Sequence, residues 1–223
     1  MRKLMMIAGA VILMGSCSKD DNSGTGNNNA VSLIPNTNGS TWNYDTKDNI
    51  LAVNGSYQLK ATAKDTSINS KTYRVFTNSS GANEYFNHST NDYYQFGTLP
   101  GLSQSVELLN LKDAAAGTKW TETKSVTYSG FPMTVVVNYE VAEKGIAYTA
   151  NGKNYTDVTH IKITIGSLIA SGLPIPTTSE FNYYYARGIG RIYSRVKLTA
   201  VVALLGVNIS KDDETTLTGY TIL

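Results

Sequence analysis

Cysteine is all but missing from this 223-residue chain. Cys17 is the only one, so no disulfide can form within the chain and the fold must rest on its core. The two histidines, His88 and His160, stand far apart with no ligand-like spacing, which leaves no zinc motif and no metal assignment. Net charge is missing as well. Residues 1–16 carry Arg2 and Lys3 of the 19 basic residues, and beyond them 17 basic residues face 17 acidic ones. A neutral chain offers no bulk attraction to nucleic acid or to an anionic surface. No apolar run is long enough to cross a bilayer as a helix, and no stretch sustains a 3.6-residue apolar period. Catalytic signatures are absent too. Gly101-Leu102-Ser103-Gln104-Ser105 lacks the closing glycine of a nucleophile elbow. Gly188-Ile189-Gly190 lacks the third glycine and the following helix of a dinucleotide loop. No cofactor is expected, and the chain reads as a non-enzyme.

What is present begins at the amino-terminal end. Arg2-Lys3 forms a basic n-region, Leu4 to Leu13 an apolar h-region, and Gly15-Ser16 sets two small residues before Cys17. That order is the order of a secretory signal peptide. Met14-Gly15-Ser16-Cys17 resembles a bacterial lipobox, which implies cleavage before Cys17 and acylation there. Ser18-Lys19-Asp20-Asp21-Asn22 resembles the acidic surface-export signal of Bacteroidota outer-membrane lipoproteins. The resemblance implies a chain held on the outer membrane by lipid at Cys17 and exposed on the cell surface. Asn22 to Asn29 contains no apolar residue and cannot offset its ordering entropy. Three segments are therefore expected: a signal peptide over 1–16, a lipidated cysteine and flexible tether over 17–37, and a folded domain over 38–223. The tether has a reach of roughly 25 Å on random-coil scaling.

The domain reads as β throughout. Fifteen tyrosines and nineteen glycines against five prolines are strand-and-turn chemistry. Ile161, Ile163 and Ile165 alternate with His160, Lys162 and Thr164, and Met133 to Val141 alternate in the same way. In Arg191–Ala200 the alternation sets Ile192, Ser194, Val196, Leu198 and Ala200 on the core face, and Arg191, Tyr193, Arg195, Lys197 and Thr199 in water. Asn151-Gly152 between Tyr148 and Tyr155 is a hairpin signal. Short turns between strands imply a single-domain antiparallel meander forming a curved sheet or a half or full barrel, with a β-sandwich as the alternative.

An internal echo points to two related halves. Gly39-Ser40-Thr41-Trp42 returns as Gly117-Thr118-Lys119-Trp120, and Lys71-Thr72-Tyr73 as Lys153-Asn154-Tyr155, in the same order. Gly39-x-x-Trp42-x-Tyr44 and Tyr185-x-x-Gly188-x-Gly190-x-Ile192 also resemble small β-rich Bacteroidota lipoproteins of largely uncharacterised function. That resemblance implies an extracytoplasmic β domain and carries no catalytic residues with it. Within a strand-like run, Gly188 and Gly190 suggest a bulge or tight bend.

Candidate contact residues fall in two sets. Gly166 to Pro176 has no charge and reads as a loop from its Gly, Ser and Pro content. Its Leu168, Ile169, Leu173 and Ile175 either plug an open end of the sheet or rim a mouth for an apolar ligand or partner. Tyr93, Tyr94 and Tyr184 are either half-buried strand residues or aromatic platforms for a sugar ring. Lys211-Asp212-Asp213-Glu214 reads as a charged hairpin turn. The function expected is that of a lipid-anchored binding or carrier module for an apolar ligand or glycan. A structural or assembly subunit of an outer-membrane complex is the alternative, ahead of a carboxylate-based glycosidase.

Overall fold

The computed structural model describes residues 31–100, 102, 104–128, 130–202 and 207–223. Cys17, the expected signal peptide and most of the expected tether lie outside the described residues. None of the described residues is helical, and the strands form one antiparallel sheet. The first meander runs β1 (Thr41–Asp48), β2 (Val53–Ile68), β3 (Lys71–Asn78), β4 (Glu84–Ser89), β5 (Asp92–Thr98) and β6 (Ser105–Lys112). The second runs β7 (Lys119–Tyr128), β8 (Phe131–Ala150), β9 (Lys153–Ala170), the two-residue β10 (Leu173–Pro174), β11 (Thr177–Ala186), β12 (Gly190–Val202) and β13 (Val207–Thr221).

The order across the sheet is β6-β5-β4-β3-β2-β1-β13-β12-β11-β9-β8-β7, with β10 paired to β9 off this path. The two meanders join along β1 and β13, from Thr41 opposite Thr221 to Asp48 opposite Asp213. The free edges, β6 and β7, curl round to meet. Between them the indole Nε1 of Trp120 donates to Leu109 O at 2.9 Å, and Leu109 N–H donates to Glu122 Oε2 at 2.9 Å. Side chains span the gap where a ladder would otherwise run, and the result is a nearly closed, barrel-like sheet.

The echo in the sequence is an echo in the backbone. Gly39 and Gly117 both take positive φ, +91° and +86°. Gly39 N–H bonds Ala61 O at 2.9 Å and Ala61 N–H returns to Ser40 O at 2.9 Å; Gly117 N–H bonds Val141 O at 2.7 Å and Val141 N–H returns to Thr118 O at 2.9 Å. The hairpin ends match as well. Asn69-Ser70 (φ 50° and 64°) and Asn151-Gly152 (φ 48° and 71°) both supply two left-handed residues, the requirement of a two-residue hairpin turn. Lys71 and Lys153 then open β3 and β9, and Tyr73 and Tyr155 are both buried.

Alternation does the packing. In β8, Met133, Val135, Val137, Tyr139 and Val141 are all buried, and each fully buried aliphatic contributes about 1.5–3 kcal/mol. Phe181, Ile161, Ile163 and Leu111 join them inside. A second cluster gathers Trp42, Tyr44, Phe76, Ile192 and Leu217. Packing also starts before residue 38: Leu33 is fully buried, and its N–H donates to Tyr93 Oη at 3.1 Å.

Two expectations about connections are corrected. Residues 166–176 are not a loop. β9 continues to Ala170, Ser171-Gly172 make a tight turn (φ 49° and 80°), and β10 runs back along β9. Gly166 sits mid-strand, where the Asn138 amide fills the space a Cβ would take. Lys211 to Glu214 is not a turn either. It lies within β13, where Asp213 pairs with Val196 on one side and Asp48 on the other.

Candidate functional site

The site is built by one inserted residue. Along β11 and β12 the ladder slips between Tyr184 and Tyr185: Tyr184 faces Tyr193, whereas Tyr185 faces Arg191, so Ile192 is extra. Residues directly opposite share a face of the sheet. Arg191 therefore joins Tyr185 on the inner face, while Tyr193 joins Tyr184 on the outer one. Simple alternation put Arg191 in water beside Arg195 and Lys197; the bulge corrects that placement. Gly190 makes the approach possible. Its φ is +110°, and a Cβ there would stand 3.3 Å from Trp42 Nε1.

Inside the sheet lies a cavity of about 650 Å³. Tyr57, Tyr139, Tyr183 and Phe181 line it with aromatic rings, and Asn78, Asn83, Gln95 and Asn110 add amides. Arg191 looks into it. A second space of about 470 Å³ shares Thr98, Leu99, Pro100, Tyr183, Arg191 and Thr215 with the first, and adds Lys211 and Asp213. On its other flank Arg191 bounds a small pocket of about 30 Å³ with Trp42 and Phe76. The three spaces meet at one guanidinium.

Its surroundings are aromatic and polar. Arg191 Nη2 donates to Tyr57 Oη at 2.5 Å, and the guanidinium carbon stands 5.1 Å from the centre of the Tyr44 ring. Tyr44 is held in turn by its Oη–H bond to Arg191 O at 2.9 Å and by stacking on Tyr57 at 5.0 Å. Asn110 reaches across to Gln95 Oε1 at 3.2 Å and to Tyr185 Oη at 3.3 Å. Desolvation works against the charge on Arg191, but the oxygens of Tyr57 and Tyr44 and the carboxylate of Glu84 outweigh it and keep it protonated. Burial pushes the Tyr57 and Tyr183 hydroxyls up, against the lowering effect of Arg191. At neutral pH these phenols are neutral donors and acceptors around a fixed cation. Among the described residues, Glu84 is the only carboxylate lining the larger cavity.

The candidate residues chosen from the sequence are dispersed. Leu168 and Ile175 are buried in the core, 5% and 4% exposed, and Ile175 N–H bonds Leu168 O at 2.7 Å. Ile169 is half-buried and Leu173 is 52% exposed. The four share no mouth, because β9 and β10 send alternate side chains to opposite faces. Tyr93 is buried, with His88 stacked on it at 4.2 Å. Tyr94 is half-buried under the ammonium of Lys71, 3.6 Å from the ring centre.

Tyr184 lines an outer groove of about 660 Å³ with His160, Tyr148 and Tyr193. Tyr148 stacks on it at 4.0 Å and His160 at 4.2 Å. Two rings that close to a third occupy its opposite faces, so Tyr184 offers no open platform to a sugar. His160 is fixed between Glu143 and Asn182, at 3.0 and 2.9 Å. The lumen residues Arg191, Tyr57 and Tyr183 were missed as a group. The one sequence signal for them is Gly188-x-Gly190, since counting through a bulge moves Arg191 inside.

No family model matches the chain, and no curated protein matches it. Among solved structures, one described as a lipoprotein from Parabacteroides distasonis is similar in fold, with a TM-score of 0.53 at 12% identity over 86% of this chain and 99% of its own. A second, described as an exported protein with a YmcC-like fold from Bacteroides fragilis, gives a TM-score of 0.43 at 10% identity over 84% and 98%. At 12% identity the first likeness shows a shared fold alone.

Proposed function

We infer that the chain is a lipid-anchored, non-catalytic binding module of the outer membrane, and that its ligand is a short glycan held in the lumen. The observation that carries this is the lining of the 650 Å³ cavity, in which tyrosine and phenylalanine rings are interleaved with Asn78, Asn83, Gln95 and Asn110. A sugar presents C–H faces that pack on aromatic rings and hydroxyls that both donate and accept, which amides and phenols match. The volume falls in the range of small-ligand pockets, roughly 300–1,000 Å³. A purely apolar ligand fits less well, because it would cover the Tyr183 hydroxyl and the Arg191 guanidinium without hydrogen-bonding them. The lipobox-like stretch ending at Cys17 supports the anchor, and the fold neighbour described as a lipoprotein is in keeping with it.

Titration calorimetry with a panel of di- and trisaccharides tests the reading. Saturable binding that Tyr183→Ala and Tyr57→Ala both weaken is the expected result. A panel that shows no binding to folded protein overturns it. The assembly-subunit alternative is favoured by one observation. The turn between β1 and β2 exposes Ile50, Leu51 and Val53, at 51%, 70% and 58%, an apolar tip suited to a protein contact.

A further inference from the structure

Four arginines lie among the described residues, and three have carboxylate partners. Arg74 pairs with Asp65 at 2.8 Å, Arg187 with Asp113 at 2.9 Å and Arg195 with Asp212 at 3.1 Å. Arg191, the one that points into the lumen, has none among the described residues. Glu84 acts on it only through space; its own oxygens are taken by Asn78 Nδ2 at 3.1 Å and Gln95 Nε2 at 3.4 Å. A guanidinium carries five N–H donors, and among the described residues only the bond to Tyr57 uses one. Its Nε is buried and has no hydrogen-bond partner among the described residues.

Burying a cation is costly unless a counter-charge and hydrogen bonds compensate it. The Tyr44 ring and the Tyr57 hydroxyl orient this one without neutralising it. A charge fixed by aromatic walls, with its planar fork facing a cavity, is the arrangement that binds an oxyanion in two parallel hydrogen bonds. We propose that Arg191 is the anion receptor of the lumen and that the ligand is an acidic saccharide, its carboxylate or sulfate oxygens seated on the free donors of the guanidinium. The assignment rests on the reading of the lumen as a glycan site and deepens it. Tyr183 and Thr215 flank Arg191 in both larger spaces, so the rest of the sugar extends from the anion along either one. Lys211 and Asp213, 3.5 Å apart, already neutralise each other in the second space, which leaves Arg191 as the unmatched charge.

The test measures wild-type protein, Arg191→Met and Arg191→Lys by calorimetry against four probes: digalacturonate, its dimethyl ester, a disaccharide carrying sulfate but no carboxylate, and laurate. Digalacturonate is expected to bind about ten- to a hundredfold more tightly than its ester, the range of charged hydrogen bonds. Arg191→Met should erase that difference while keeping the folded circular-dichroism signal. Arg191→Lys keeps the charge but loses the fork, and should fall between. Tighter binding of the sulfated sugar also supports the proposal and names the preferred anion. Equal binding of acid and ester overturns it and leaves the glycan reading standing. Binding of neither sugar overturns both, and laurate binding alone overturns the saccharide in favour of an apolar anion. Should Arg191→Met lose its folded circular-dichroism signal, the wild-type comparison of acid with ester still decides.

Discussion

Trp120 donates its indole N–H to the main-chain oxygen of Leu109 at 2.9 Å, across the one place where the sheet has no ladder. Trp42 holds the matching position in the first half and donates to Ile189 O at 2.5 Å. The two tryptophans open related meanders but meet different surroundings. Trp42 is 2% exposed, packed beside Phe76, whereas Trp120 is half-buried and stacked flat on Tyr139 at 5.0 Å. One seam of the barrel is zipped by main chain and the other is held by side chains.

The first prediction separates the two. Trp42→Ala should cost about 3–5 kcal/mol as a core truncation, and Trp120→Ala about 2–3 kcal/mol because part of its ring is already solvated. Urea denaturation monitored by circular dichroism checks the order. A Trp120→Ala loss equal to or above that of Trp42→Ala contradicts the difference between the seams.

Charge placed on the β9–β10 hairpin should discriminate by face. Leu173→Asp, at a site 52% exposed, should shift stability by no more than about 0.5 kcal/mol. Ile175→Asp, at a site 4% exposed, buries a carboxylate without a partner and should lower the melting temperature sharply or prevent folding. Similar melting curves for the two variants would show that the hairpin does not alternate as described.

Acid should weaken the ion-pair hub at Asp113. Its carboxyl accepts from both Arg187 Nη atoms, at 2.9 and 3.1 Å, and lies 2.7 Å from Lys144 Nζ. The bonds from Arg187 come first among the effects that hold it below the ordinary carboxylate range. A carboxyl whose folded pKa is lowered stabilises the fold fully above its unfolded value, and that contribution is lost as pH falls through the folded value. Asp113→Asn should therefore lower the melting temperature at neutral pH. The gap from wild type should close on acidification below the ordinary carboxylate range. A gap that stays constant with pH assigns the residue a purely steric role.

Lipid attachment is checked at Cys17. Cys17→Ser should leave the protein unprocessed or soluble, with no incorporation of labelled fatty acid. Full retention of that variant in the outer-membrane fraction rules out the lipobox reading.

Period-two patterning was enough to find the strands, since side chains alternate wherever one face is buried, as Ile161, Ile163 and Ile165 show. The echo between the halves was legible because Gly39 and Gly117 both occupy backbone positions of positive φ, which favour glycine. Composition misled where a strand carried residues chosen by its neighbours. Gly166 yields to Asn138, and Pro174 stands on a two-residue strand off the main path, so loop-like composition covers a hairpin. The site was hidden for a different reason. A single extra residue, Ile192, exchanges the inside and outside of everything before it on the strand, and alternation counted straight through places Arg191 in water. Pairing between distant strands decides that phase, and pairing is not written in local pattern.

The seam between β1 and β13 has a consequence for how the molecule comes into being. Each meander is made of strands that neighbour each other in the chain and forms by local contacts. The joining ladder sets Thr41 against Thr221, and contacts of such long sequence separation are entropically costly and slow to form. The two halves therefore fold first, and closure waits on the last strand. Until β13 pairs with β1 the two meanders share no main-chain ladder, and the lumen between them has no continuous wall.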